Sequence, residues 1–175
     1  KRKMILVGVN PPDEVKEVYL KLIGEDPSVI VLTETTSNLH YSNFFASIDQ
    51  LISPLDSTDF EALKPDLLLT FGGMIVSKKI KTFLRTYSPK THWHIDPVQA
   101  NDTFFCLTKH HKCTVNTFFS QLTSLDNLLN ESTYFETWNN VKIHRLLRHD
   151  DYMKSIPFSD FKVFDSVLSQ IPDNY

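Results

Sequence analysis

The sequence predicts an α/β fold: a Rossmann-like, doubly wound parallel sheet of five or six strands with helices on both faces. Three observations indicate it. The 175 residues are 41% hydrophobic and 22% charged, which is ordinary for one globular domain. Short, continuous apolar runs recur along the chain, and helix-like segments stand between them. Such runs are typical of strands buried on both faces, and strand–helix–strand alternation joins parallel strands by right-handed crossovers.

The predicted elements follow the chain in that alternating order. The first strand covers residues 4–9, and Asn10-Pro11-Pro12 ends it. From Asp13 the apolar residues follow a helical spacing, and this helix is expected to end at Gly24. The other predicted strands cover residues 29–32, 66–71, 91–95 and 103–107. The other predicted helices cover residues 44–52, a turn near 60–63, a segment that Ser77 opens, and most of the chain from Val115 onward.

Charge and composition exclude several classes of partner. Eighteen basic and 21 acidic residues give a net charge of -3, with a pI of about 6.2. This balance lacks the basic surface that nucleic acids or anionic membranes require. No run reaches the roughly 20 apolar residues of a membrane span. Cys106 and Cys113 do not form a disulfide framework, so we expect reduced thiols in a cytoplasmic protein.

The end of the third predicted strand is the most suggestive place for a ligand. Gly72-Gly73 permits close approach of a backbone, and Ser77 is positioned to cap the next helix. The first turn of that helix carries Lys78, Lys79 and Lys81. Each cation there opposes the helix dipole by roughly 0.3–1 kcal/mol, which an anionic ligand would offset. The alternative, that these lysines are only solvated helix formers, stays equally open.

This segment differs from the nucleotide-binding motifs that it resembles. Ser77 stands where a phosphate-binding loop has its second glycine, and Lys79 stands where that loop has its magnesium-binding hydroxyl. After the first strand, Gly8 is followed by Asn10-Pro11-Pro12 and not by the dinucleotide fingerprint. Nucleoside triphosphate hydrolysis and conventional dinucleotide binding are therefore disfavoured.

The histidines of the fourth predicted strand allow two interpretations. His92, His94 and Asp96 alternate and would share one face, a spacing that could hold a metal. Because helices cover both faces of a parallel sheet, buried histidines bonded to their neighbours are favoured over a metal site. His110 and His111 are expected in a solvated loop, and Cys106 is expected in the core.

Four segments together carry a family resemblance: residues 32–40 (LTETTSNLH), 69–79 (LTFGGMIVSKK), 93–96 (WHID) and 157–159 (PFS). They resemble the central domain of 2-succinyl-5-enolpyruvyl-6-hydroxy-3-cyclohexene-1-carboxylate synthase, a family of thiamine diphosphate-dependent enzymes. The resemblance covers essentially the whole chain. It implies a parent enzyme of menaquinone biosynthesis that decarboxylates 2-oxoglutarate on thiamine diphosphate and Mg²⁺ and adds the product to isochorismate.

The same resemblance implies a domain organisation. Residues 1–157 are expected to form the Rossmann-like middle domain, and residues 158–175 a helical lead-in to a diphosphate-binding domain that is absent. The apolar stripe Phe161, Phe164, Leu168 and Ile171 fits such a lead-in. The activating glutamate of the pyrimidine domain would precede Lys1, and the Gly-Asp-Gly motif would follow Tyr175. The implied partners are those two domains of the parent chain and further copies of it, as a dimer or tetramer.

The resemblance also implies the site residues. Lys78 occupies the position of a lysine that reaches an anionic substrate, and Ser77 precedes it, so both are predicted to bind substrate. The fragment itself is expected to hold no catalytic, cofactor-binding or metal-binding residue and to be inactive alone. The loop from Thr33 to Asn38 ends the neighbouring strand and is assigned no chemical role. Two alternatives remain open: a self-sufficient module that binds ADP or FAD, and a purely structural interdomain domain.

Overall fold

The predicted parallel sheet is confirmed in the computed structural model, which describes residues 1–123 and 131–172. The described strands form one five-stranded parallel sheet in the order β2-β1-β3-β4-β5. Their bounds are β1 Lys3–Val7, β2 Val29–Leu32, β3 Leu67–Phe71, β4 Thr91–Ile95 and β5 Leu107–His111. This order, with β1 between β2 and β3, is that of a doubly wound α/β fold of the flavodoxin type.

Helices stand between the strands and continue beyond the last one. Their bounds are α1 Glu17–Glu25, α2 Ile48–Ile52, α3 Ser57–Leu63, α4 Lys78–Thr86, α5 Val115–Thr123, α6 Tyr134–Ser155 and α7 Asp160–Leu168. A 3-10 turn, Thr35–Ser37, follows β2. Among the described helices, four begin after a residue whose side chain accepts a hydrogen bond from the first turn. These caps are Asp56 before α3, Ser77 before α4, Thr114 before α5 and Ser159 before α7.

Two helix starts differ from the sequence prediction. The helix expected from Asp13 begins at Glu17, because Asp13 adopts a positive φ of 58° and Lys16 is extended. The helix expected from residue 44 begins at Ile48. Phe45 instead lies beside β2, where it receives a hydrogen bond from Thr33 N at 3.0 Å and donates one to Val31 O at 2.9 Å. Tertiary pairing at the sheet edge thus overrides the local helical pattern.

The last strand also differs from the prediction. The sequence places it over residues 103–107, but β5 begins at Leu107, and His110 and His111 lie in this strand and not in a solvated loop. Cys106 lies in the turn before β5 and is half-buried, not in the core. Burial raises the pKa of its thiol to about 11. An edge strand lacks the continuous apolar run of a central strand, which is why the composition of LTKHH did not reveal it.

The core lies on both faces of the sheet. On one face, Ile5 and Val7 of β1 belong to a buried cluster that includes Ile23 of α1 and Phe118 of α5. Side chains alternate along a strand, so Met4 and Leu6 point to the other face, where both are fully buried. That second face holds further side chains of under 2% exposure: Ile30, Leu32, Leu68, Ile80, Leu84 and Trp138.

The chain divides into two compact units, residues 1–139 and residues 140–175. The predicted boundary at 157/158 lies inside the second unit. In that unit His149 Nε2 lies 3.1 Å from Asp165 Oδ1, and the ring of Phe161 packs edge-on against His149. The apolar stripe is half exposed or more, at 51%, 66%, 63% and 50% for Phe161, Phe164, Leu168 and Ile171.

Within residues 1–123 and 131–172, the structure contains no helix with the length and apolar character to span a membrane.

Candidate functional site

The strand order defines where a ligand crevice would lie. From β1 the chain winds to β2 on one side, and then crosses to β3 on the other side of β1. In doubly wound sheets the crevice opens at this switch point, outside the carboxyl ends of the two strands that flank it. Here those ends are the segments that follow Val7 and Phe71.

Backbone hydrogen bonds close the crevice in this chain. Gly8 N donates to Phe71 O at 2.9 Å, and Gly73 N donates to Val9 O at 2.7 Å. A Cβ at Gly8 would lie 2.1 Å from Gly73 O, and Gly72 adopts a φ of 80°. These glycines therefore bring two loops of the protein against each other, whereas the sequence pattern suggested room for a ligand.

Glu34 binds the loop that leads into α4. Its Oε2 accepts a hydrogen bond from Val76 N at 2.8 Å, and its Oε1 accepts one from Ser77 N at 2.6 Å. The Glu34 carboxylate thus accepts hydrogen bonds from two successive backbone N–H groups just before the N-terminus of α4, where a negative charge is favoured. Sequence analysis missed this residue, although its position two residues after the end of β2, at the carboxyl edge of the sheet, was a signal.

Ser77 caps α4, as predicted. Its Oγ accepts a hydrogen bond from Ile80 N at 3.1 Å and donates one to the Asp49 carboxylate on α2. The single hydroxyl hydrogen of Ser77 is therefore committed inside the protein. One lone pair of the oxygen remains to accept a hydrogen bond from a ligand.

The three lysines of α4 differ in what they contact. Lys79 Nζ donates to Ser53 Oγ, and Lys81 Nζ donates to Ile75 O at 3.1 Å. Lys78 is exposed, and in residues 1–123 and 131–172 no hydrogen bond or ion pair of its ammonium group is found. It borders a cleft of about 400 Å³ between α4 and the pair α2 and α3, with Phe60 and Tyr87 among the lining residues.

The two carboxylates change the electrostatic argument for a ligand. Three cations at a helix N-terminus called for an anion, and the structure supplies Glu34 and Asp49 there. These internal anions offset the dipole and the lysine charges, so an external anion is no longer required for stability. The group that is left to bind an anionic ligand is the ammonium group of Lys78, which is exposed to solvent at the carboxyl edge of the sheet.

The predicted core histidines are bonded to a shared threonine. Thr70 Oγ1 on β3 lies 2.8 Å from His92 Nε2 and 2.8 Å from His94 Nδ1. His92 is 1% exposed, and burial lowers its pKa to about 4. Asp96 turns away from them, because its Oδ1 accepts from Val98 N at 2.7 Å and from Gln99 N at 2.8 Å. No group of three or more His, Cys, Asp or Glu side chains in the described ranges is arranged to hold a metal ion.

Fold and site together define a flavodoxin-type α/β domain in which backbone hydrogen bonds close the switch-point crevice and Lys78 is exposed at the start of α4. No family model matches this chain. Three curated relatives are 2-succinyl-5-enolpyruvyl-6-hydroxy-3-cyclohexene-1-carboxylate synthases. The chain is 52% identical to that of Christiangramia forsetii over 178 residues, 47% identical to that of Flavobacterium johnsoniae over 175, and 34% identical to that of Porphyromonas gingivalis over 180.

These matches cover 98–99% of this chain but only 31% of each relative. The chain thus spans about a third of the length of the synthases that it matches. The resemblance predicted from the sequence is confirmed, and this coverage is consistent with one part of a longer enzyme.

Proposed function

We propose that this chain is the middle domain of a 2-succinyl-5-enolpyruvyl-6-hydroxy-3-cyclohexene-1-carboxylate synthase, and that it presents Lys78 to an anionic substrate. In the proposed reaction the whole enzyme decarboxylates 2-oxoglutarate and adds the product to isochorismate in menaquinone biosynthesis. The observation that carries the proposal is the 43–52% identity to synthases of this name over at least 98% of the chain.

The proposal places no site for thiamine diphosphate or Mg²⁺ among the described residues of this chain. The switch-point crevice is closed by the backbone of Gly8 and Gly73, and residues 1–123 and 131–172 contain no cluster suited to a metal. The proposal therefore assigns both groups to other parts of the enzyme. In such enzymes thiamine diphosphate supplies the electron sink for decarboxylation.

In this proposal the part of Lys78 is electrostatic. Both proposed substrates are dicarboxylates, and an ammonium group forms a charge-assisted hydrogen bond to a carboxylate oxygen. Lys78 can make that bond without losing an internal one, whereas Lys79 already donates to Ser53 and Lys81 to Ile75. Ser77 can add a hydrogen bond by accepting from a substrate hydroxyl with its remaining lone pair.

The surface of the second unit supports the proposed partners. Phe158 is 87% exposed and Phe164 is 66% exposed, and these apolar side chains would gain by being covered in a longer chain. We propose that the pyrimidine and diphosphate domains, and other copies of the enzyme, provide such contacts. Both cysteines are free thiols, which fits the proposed cytoplasmic location.

The proposed function is tested with the full-length protein from the same gene. Supplied with 2-oxoglutarate, isochorismate, thiamine diphosphate and Mg²⁺, it is expected to form the succinyl adduct, detected by mass spectrometry. The 175-residue chain alone is expected to show no turnover, because the proposal places the cofactor on other parts of the enzyme. A full-length protein without this product contradicts the activity, and turnover by the 175 residues alone contradicts the assignment of the cofactor to other domains.

The competing nucleotide-binding proposal predicts a different result. The closed crevice leads us to expect no binding when ADP, FAD or NAD is titrated into the 175-residue chain in a calorimeter. Opening the crevice would break the hydrogen bonds from Gly8 N and Gly73 N, so a ligand would have to replace both. A dissociation constant in the micromolar range for any of the three nucleotides would favour the alternative.

A further inference from the structure

We propose that Glu34 is a positioning residue for Lys78. Its carboxylate accepts hydrogen bonds from two backbone N–H groups of the β3–α4 loop and holds the loop in place. An anionic substrate then binds the Lys78 side chain and not these N–H groups. This inference rests on the proposed function. It assigns a role to a loop for which the sequence indicated none.

The contact between Glu34 and the β3–α4 loop is bidentate. The two carboxylate oxygens of Glu34 each accept one hydrogen bond, from Val76 N at 2.8 Å and from Ser77 N at 2.6 Å. Each of the two successive N–H groups is bonded to a separate oxygen of Glu34, and a glutamine side chain in this place would offer only one acceptor oxygen. The negative charge is also favoured at the start of α4 by the helix dipole. Glutamate is thus specifically suited to this position.

Glu34 is held rigidly on its own side of the contact. Its backbone N donates to Ser37 Oγ at 2.9 Å, and Ser37 Oγ donates to Val7 O at 2.8 Å. Ser37 is fully buried. The backbone of Glu34 is therefore anchored through Ser37 to the last residue of β1, an internal strand of the sheet.

On the loop side of the contact, the bonded residue is Ser77, which directly precedes Lys78 in the chain. Ser77 is held by Glu34 at its backbone N, by Asp49 at its hydroxyl and by Ile80 through the cap. The backbone of Lys78 follows directly, so its position is set by these bonds. Because Glu34 occupies the amides of Val76 and Ser77, a substrate carboxylate cannot bind them and must use the lysine ammonium group.

The kinetic test uses the full-length enzyme. We expect Glu34→Ala to raise KM for the anionic substrate about tenfold while kcat changes less than about twofold. Glu34→Gln, which keeps one acceptor, should give a smaller rise. Acetate should partly restore KM in Glu34→Ala, because a small carboxylate can reoccupy the two N–H groups. Glu14→Ala, at an exposed glutamate outside this loop, is the matched control and should leave both constants unchanged.

A double-mutant cycle separates positioning from an independent effect. If Glu34 acts through Lys78, adding Glu34→Ala to Lys78→Ala should cause little further loss. Additive losses, a loss confined to kcat, or a KM that acetate does not change in Glu34→Ala would overturn the proposal. Should Glu34→Ala fail to fold, Glu34→Gln in the same cycle decides between these outcomes.

A structural readout does not depend on activity. Hydrogen exchange of the full-length protein should be faster in Glu34→Ala for the peptide that contains Val76 and Ser77, and acetate should slow it again. Unchanged hydrogen exchange in this peptide would overturn the positioning role of Glu34 but not the proposed function. A wild-type enzyme with no synthase activity overturns the proposed function and, with it, the part of Lys78, even where the exchange shows that Glu34 holds the loop.

Discussion

Replacing Lys78 by alanine in the full-length enzyme is expected to lower kcat/KM about ten- to a hundredfold, since a charge-assisted hydrogen bond to a substrate carboxylate contributes roughly 1.5–3 kcal/mol. Stability should change little, because Lys78 is exposed and its charge opposes the dipole of α4. Steady-state kinetics with each substrate varied in turn measure the effect, and thermal unfolding measures the stability.

Lys79→Ala and Lys81→Ala are the matched controls for this prediction. Both remove a cation from the same helical turn, but Lys79 donates to Ser53 and Lys81 donates to Ile75. They are expected to alter kcat/KM less than Lys78→Ala does. Unchanged kinetics in Lys78→Ala together with a loss in Lys79→Ala would show that the substrate-binding lysine is assigned one residue too early. Unchanged kinetics in all three variants would favour a purely structural domain.

Acid is expected to destabilise the 175-residue chain by about 3 kcal/mol between pH 6.5 and pH 4, through His92. In the unfolded chain His92 takes up a proton near pH 6.5, whereas in the folded chain burial lowers its pKa to about 4. Between these values the unfolded state binds more protons. The contribution is therefore complete above pH 6.5 and is lost as the pH falls towards 4.

The hydrogen bonds of Thr70 give this prediction a geometric basis. Thr70 Oγ1 lies 2.8 Å from both His92 Nε2 and His94 Nδ1 and carries one hydrogen, so Thr70 can donate to only one ring. The other ring must donate its own N–H. Burial also lowers the pKa of His94, which adds to the loss in acid. His92 Nδ1 is buried without a hydrogen-bond partner, so a proton there would lack an acceptor.

Urea unfolding at pH 7, 6, 5 and 4 measures the acid effect. In His92→Gln the loss of unfolding free energy between pH 6.5 and 4 should shrink, because the titrating group is gone. His40→Gln, at an exposed histidine, is the control and should follow the wild type. A His92→Gln variant with the same pH dependence as wild type would contradict the assignment to His92.

Strands β1, β2 and β3 were predictable from the sequence because each is an almost continuous apolar run. Residues 4–7, 29–32 and 68–71 are buried, and Thr70 is the one polar residue among them. The cap at Ser77 was predictable as well, since serine is among the residues preferred directly before a helix. Two other elements were not predictable: β5 reads LTKHH, and Phe45 pairs beside β2 within a segment of helical pattern.

Local sequence patterns were sufficient to predict the parallel α/β class, strands β1 to β4 and the family that the chain resembles, although β1 ends at Val7 and not at the predicted Val9. They also singled out Ser77 and Lys78. The contacts between the strand ends are visible only in the folded chain. Glu34 and Ser77 are 43 residues apart, and Gly8 and Gly73 follow strands that are neighbours only because the chain crosses β1 to reach β3. Such contacts depend on strand order, and local apolar patterns carry no information about that order.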